Sequence, residues 1–64
     1  MYKVTIAAAR VNVGMSQKEA AIELGVSNKT LCDWERGKAY PKADKIDAIC
    51  KLYRVPYDML NFLQ

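Results

Sequence analysis

At 64 residues, 52% apolar and 27% charged, the chain can fill one small hydrophobic core and has no room beside it for a deep catalytic cleft. Ten Lys and Arg against seven Asp and Glu leave a net charge of +3, which excludes an acidic solvating chain and suits a polyanionic partner. Histidine is absent and the only thiols are Cys32 and Cys50, so there is no imidazole base, no CxxC and no usual zinc-ligand set.

The same inventory argues against catalysis. No serine or cysteine has an evident activating neighbour, and no G-x-x-x-x-G-K phosphate loop occurs. No metal, cofactor or small-molecule ligand is expected. Two thiols on separate predicted helices read as reduced side chains, and there is neither a long apolar run nor a basic leader. The expectation is a cytoplasmic, non-enzymatic protein without membrane association, made of one domain over residues 1–64. Its charge is unevenly placed: Lys29, Arg36, Lys38 and Lys42 against Asp33 and Glu35 put two of the three net charges between Ser27 and Lys42.

In chain order the pattern is helical, with no convincing alternating strand. Thr5 is a suitable cap for a first helix through "IAAARVNV" to Gly14, with Ile6, Ala9 and Val13 inward. Ser16 and Glu19 form an S-x-x-E capping box, which starts a second helix that Gly25 ends; Ala20, Ala21 and Leu24 face inward. After a turn of only three residues, Gly25 to Ser27, Ser27 caps a third helix that stops before Gly37. Steps of 100° place Leu31, Trp34 and Glu35 on one side of it. Asn28, Lys29, Cys32, Asp33 and Arg36 fall on the other. Packing needs the first side, and the second is left polar.

Pro41 marks a turn into a fourth helix, in which Ile46, Ile49, Cys50 and Tyr53 recur at i, i+3, i+4, i+7. Pro56 is suited to open a short fifth helix containing Met59, Leu60, Phe62 and Leu63, more apolar surface than one face requires.

These residues resemble a known family. "LGVSNKTLCDWERGKAYP", preceded by "GMSQKEAAIE" and followed by "VPYDML", is similar to the lambda-repressor-like, Cro-type helix-turn-helix domain of phage repressors and bacterial regulators, the XRE family. The likeness runs from about Ile6 to Leu63 and rests on an ordered set: Ser16-Gln17, Ala21, Gly25-Val26-Ser27, Trp34-Glu35, Gly37-Lys38 and Pro41.

The resemblance implies an all-α, compact five-helix domain whose second and third helices form the helix-turn-helix, with helix 3 in the major groove of double-stranded DNA. Base reading then falls to Asn28, Lys29, Cys32 and Asp33. An Asn amide pairs with adenine, a Lys donates to guanine, a Cys sulfur touches a thymine methyl, and an Asp accepts from cytosine, acts by exclusion, or pairs with Lys29 or Arg36 on its own helix. Phosphate contacts fall to Gln17, Ser27, Thr30, Arg36, Lys38, Tyr40, Lys42 and Arg10. Arg10 and Glu35 match a partly buried ion pair joining the first helix to the third.

One helix-turn-helix reads a short half-site, so a homodimer on a palindromic operator is expected, with Leu60, Phe62 and Leu63 as candidate dimer contacts. The expected activity is repression, of phage or mobile-element type, in a bacterial cytoplasm. The competing reading keeps the fold and uses it as a protein-interaction module, antitoxin-like or a phage control partner, with weak or no DNA binding.

Overall fold

The computed structural model describes residues 3–62; Leu63, one of the candidate dimer contacts, lies outside them. The elements in order are β1 (Val4–Thr5), α1 (Ile6–Asn12), α2 (Gln17–Leu24), α3 (Asn28–Glu35), α4 (Ala43–Tyr53), a 3-10 turn (Tyr57–Met59) and β2 (Leu60–Asn61).

The helix starts follow the side-chain chemistry. The Thr5 hydroxyl accepts from the Ala8 amide, and Ser27 accepts from the Thr30 amide. At α2 both halves of the capping box are made: Ser16 accepts from the Glu19 amide at 3.0 Å and donates its own amide to Glu19 at 2.9 Å. The Ser16 amide, and then the Ser16 hydroxyl, lower the Glu19 carboxyl from its ordinary value. The turn into α3 needs a left-handed residue, and Gly25 supplies it at φ 72° without a Cβ penalty. The corresponding position after α4 is filled by Arg54, at φ 58°.

One core joins the elements: Ile6 and Ala9 from α1, Ala20, Ala21 and Leu24 from α2, Leu31 and Trp34 from α3, Ile49 and Tyr53 from α4, and Leu60 from β2. The alanines let α2 lie close to its neighbours, and α2 packs chiefly on α3. Lys45 of α4 reaches back to donate to the Leu24 carbonyl at 2.8 Å, satisfying an orphan acceptor at the end of α2 beside the turn.

The first helix runs to Asn12 with Val13 as its cap, and Gly14 takes the expected left-handed position that ends it, at φ 76°, the Gly14 and Met15 amides turning back to the Val11 and Arg10 carbonyls. One expectation is corrected. The fifth helix is absent: after Pro56 there is a single 3-10 turn, and the chain then extends and pairs in parallel with the start of the protein, Val4 opposite Leu60 and Thr5 opposite Asn61. The described chain therefore has four α-helices and a two-stranded parallel pair where no strand was expected. The cause is tertiary. Thr5 is already extended as the cap of α1, so its neighbours offer a ladder, and Leu60 can reach the core only from an extended backbone.

Candidate nucleic-acid interface

Helix α3 has two unlike sides. Leu31 and Trp34 are buried, whereas Asn28, Lys29 and Arg36 are exposed and Cys32 and Asp33 are half-buried. The helix is anchored by a partly buried polar contact as well as by apolar packing. Arg10 Nε lies 2.8 Å from Glu35 Oε2, with side chains 15% and 7% exposed, so the expected ion pair between α1 and α3 is present. Arg10 Nη2 donates to Glu35 Oε1 at 3.4 Å and Nη1 to the Met15 carbonyl at 2.8 Å. Each guanidinium nitrogen is thus engaged inward, and Nη1 and Nη2 each keep a second N–H.

The carboxylate passes its influence outward. Gln17 Nε2 donates to Glu35 Oε1 at 3.1 Å, and Gln17 Oε1 accepts from Asn28 Nδ2 at 3.0 Å. An ionised carboxylate only accepts, so Gln17 must turn its NH2 toward Glu35 and its oxygen toward Asn28. Asn28 must in turn offer its NH2, which leaves Oδ1 and one N–H for a partner outside. Gln17, expected to hold phosphate through its side chain and the backbone donors of the first turn of α2, is also a link between the ion pair and Asn28, and its Nε2 keeps a second N–H.

The other predicted residues fall into three groups. Ser27 and Thr30 are tied to each other, the Ser27 hydroxyl donating to Thr30 Oγ1 at 2.9 Å; Thr30 keeps its own hydroxyl proton to donate. Arg36, Lys38 and Lys42 are exposed beyond the end of α3. Tyr40 is exposed and lies over the C-terminal end, its ring 5.9 Å from that of Phe62, with Tyr57 a further 6.1 Å from Phe62. With Lys3 and Asp58 these three rings line an open groove of about 300 Å³. Leu60, expected as a candidate dimer contact, is only 3% exposed; its position between α1 and β1 commits it mainly to the core, and the little surface it keeps lies in that groove.

Sequence reasoning missed Lys45, Tyr57 and the Gln17–Glu35 contact. Each depends on which elements meet in space, and no local pattern marks it. Tyr53 lies behind the ion pair, its hydroxyl buried and without a hydrogen-bond partner among the described residues. Burial, and then the Glu35 charge, push this phenol up to about 12, against the smaller opposing effect of Arg10. The Cys50 thiol is raised as well, first by burial and then by Asp47. Neither cysteine is in a disulfide.

A short helix and a second helix joined by a three-residue turn, with a polar face carried outward on a partly buried ion pair, define a helix-turn-helix of the DNA-binding class. A family model described as helix-turn-helix matches residues 6–60, and the chain belongs to that family, the XRE-type regulators similar to lambda repressor and Cro. Neither the curated proteins nor the solved structures contain a significant match to the chain. Among the described residues no helix is long and apolar enough to cross a membrane, and no three His, Cys, Asp or Glu side chains gather to hold a metal ion.

Proposed function

We propose that this DNA-binding regulator is a sequence-specific repressor that occupies a palindromic operator as a homodimer, with α3 in the major groove. The observation that carries the reading is the chain Arg10–Glu35–Gln17–Asn28. It fixes both the place and the polarity of an amide at the start of α3, on the side of the helix that packing does not use. An amide offering one oxygen and one N–H is complementary to N6 and N7 of adenine, so Asn28 reads an A·T pair. Lys29, Cys32 and Asp33 follow along the same face.

Lys38, Arg36, Lys42 and Thr30, with the first turn of α2 at Gln17 and the cap at Ser27, supply phosphate contacts on either side of the groove. These place the protein on DNA without selecting sequence. The dimer contact belongs to the aromatic groove, where Phe62 with Tyr40 and Tyr57 supplies most of the apolar surface and Leu60 only its floor; Lys3 and Asp58 on its rim would pair crosswise between two copies. The site of action is the bacterial cytoplasm, and the family likeness favours a phage or mobile-element regulator. The competing protein-docking reading has less support, because the outer side of α3 has none of the aromatic or aliphatic anchors that such a face uses.

The test is selection of bound duplexes from a random pool at about 150 mM salt, where purely electrostatic binding is weak. The expected result is a motif of two inverted half-sites about 34 Å apart, with an adenine position lost in Asn28→Ala. Enrichment of no motif would refute the reading.

A further inference from the structure

Lys29 and Asp33 form a pair that helix energetics would not choose. Lys29 Nζ lies 3.0 Å from Asp33 Oδ2, four residues apart on the outer side of α3, with the side chains 85% and 28% exposed. The cation stands in the first turn, at the positive end of the helix dipole, and the carboxylate stands in the last, at the negative end. The opposite order, acid before base, is the more stabilising one. A pair set against its own helix gains little for the fold, and such local conflicts concentrate where a surface is used.

The spacing of the pair has a counterpart in the groove. At the centre of the major-groove edge every Watson–Crick pair shows one acceptor beside one donor: O6 of guanine beside N4 of cytosine, or O4 of thymine beside N6 of adenine. These two atoms are hydrogen-bonded to each other and so stand about 2.9 Å apart. An ammonium and a carboxylate 3.0 Å apart present the complementary donor and acceptor at the same spacing. The ammonium spends one N–H on Asp33 and keeps two; the carboxylate keeps free lone pairs after accepting from Lys29.

We propose that Lys29 and Asp33 read one base pair together, as a couple, requiring a keto base on the strand under Lys29 and an amino base opposite, under Asp33. Guanine is preferred to thymine on the Lys29 strand, because the remaining N–H of the ammonium reaches guanine N7, where thymine shows a methyl group. The couple is neutral overall. That explains how a carboxylate can face a polyanion: Lys29 cancels the repulsion between Asp33 and the phosphates. The proposal rests on the reading that α3 enters the major groove.

The experiment is the same duplex selection carried out with the exchange variant, Lys29→Asp with Asp33→Lys, beside the wild type. Net charge is unchanged, and the exchange puts each charge at the helix end that favours it, so thermal stability should be equal or higher. The expected result is a motif that keeps its other positions and inverts one, from keto to amino on the same strand, by about tenfold in preference. Asp33→Asn, whose amide donates as readily as it accepts, should flatten that one position while leaving the adenine position intact; it decides the matter if the exchange variant fails to fold. A wild-type motif without a keto–amino position, or a position that survives the exchange unchanged or is lost without inverting, would overturn the proposal and leave the DNA-reading assignment standing. Failure of the wild type to select any motif would overturn both.

Discussion

The two sides of α3 are built from the same eight residues and answer to different demands. On the inner side, Leu31 and Trp34 are held by burial and Glu35 by three hydrogen bonds, from Arg10 Nε, Arg10 Nη2 and Gln17 Nε2. On the outer side, Asn28 is held by one bond and Lys29 and Asp33 only by each other. Placement is therefore set from within and chemistry is offered without, so substitutions on the two sides should separate stability from sequence recognition. The exception is Glu35, which belongs to the fold and also orients Asn28 through Gln17.

The largest effect belongs to the core. A domain of this size has a total stability of about 3–10 kcal/mol. Leu31→Ala removes a fully buried side chain and should cost about 4 kcal/mol, so thermal melting and DNA binding should be lost together. Next is Arg10→Met, which leaves the Glu35 carboxylate buried without its cation and should cost about 3 kcal/mol. The double substitution Arg10→Met with Glu35→Leu should recover most of that stability. It should not recover the adenine preference, since Gln17 loses the acceptor that sets its polarity; full recovery of both would show that the ion pair serves the fold alone.

Outer-side changes should be smaller in stability and sharper in recognition. Asn28→Ala should shift the melting free energy by less than about 0.5 kcal/mol and cost about 1–3 kcal/mol of discrimination at one base pair. Lys38→Ala should instead weaken every sequence alike and reduce the salt slope by about one. Equal loss on every sequence from both variants would merge the two roles. The one gain in stability is expected at Lys42, the cap of α4, which makes no capping bond with its side chain. Lys42→Asp should raise stability by about 1 kcal/mol in thermal melts while weakening DNA binding through the lost phosphate partner. A gain in both would remove Lys42 from the interface.

What could be read in advance follows the range of the interaction. Ser16 with Glu19, Ser27 and Gly25 act within one turn of chain, and the helices they delimit start and stop as expected. The inward side of α3 follows from the 3.6-residue period, and the Arg10–Glu35 pair was expected from the family likeness rather than from spacing. The C-terminal segment was misread because "PYDMLNF" has helical spacing and an N-terminal proline, yet seven residues nucleate a helix poorly. Pairing with Val4 and burial of Leu60 won. Lys45 on the Leu24 carbonyl and Tyr40 against Phe62 join residues some twenty apart, and nothing in the order of residues announces them. The linking of Gln17 to the ion pair depends on the distance to Glu35, which only the packed fold supplies.

The division between the two sides of α3 is tested most directly by following backbone and side-chain amide resonances of isotope-labelled protein as the selected duplex is added. The largest changes should fall on Gln17, on Asn28, Lys29, Cys32 and Asp33, and on Lys38, with the buried stretch of α4 around Ile49 and Tyr53 nearly still. Changes centred on Tyr40, Tyr57 and Phe62, with the amides of α3 unmoved, would contradict the assignment of its outer side to DNA.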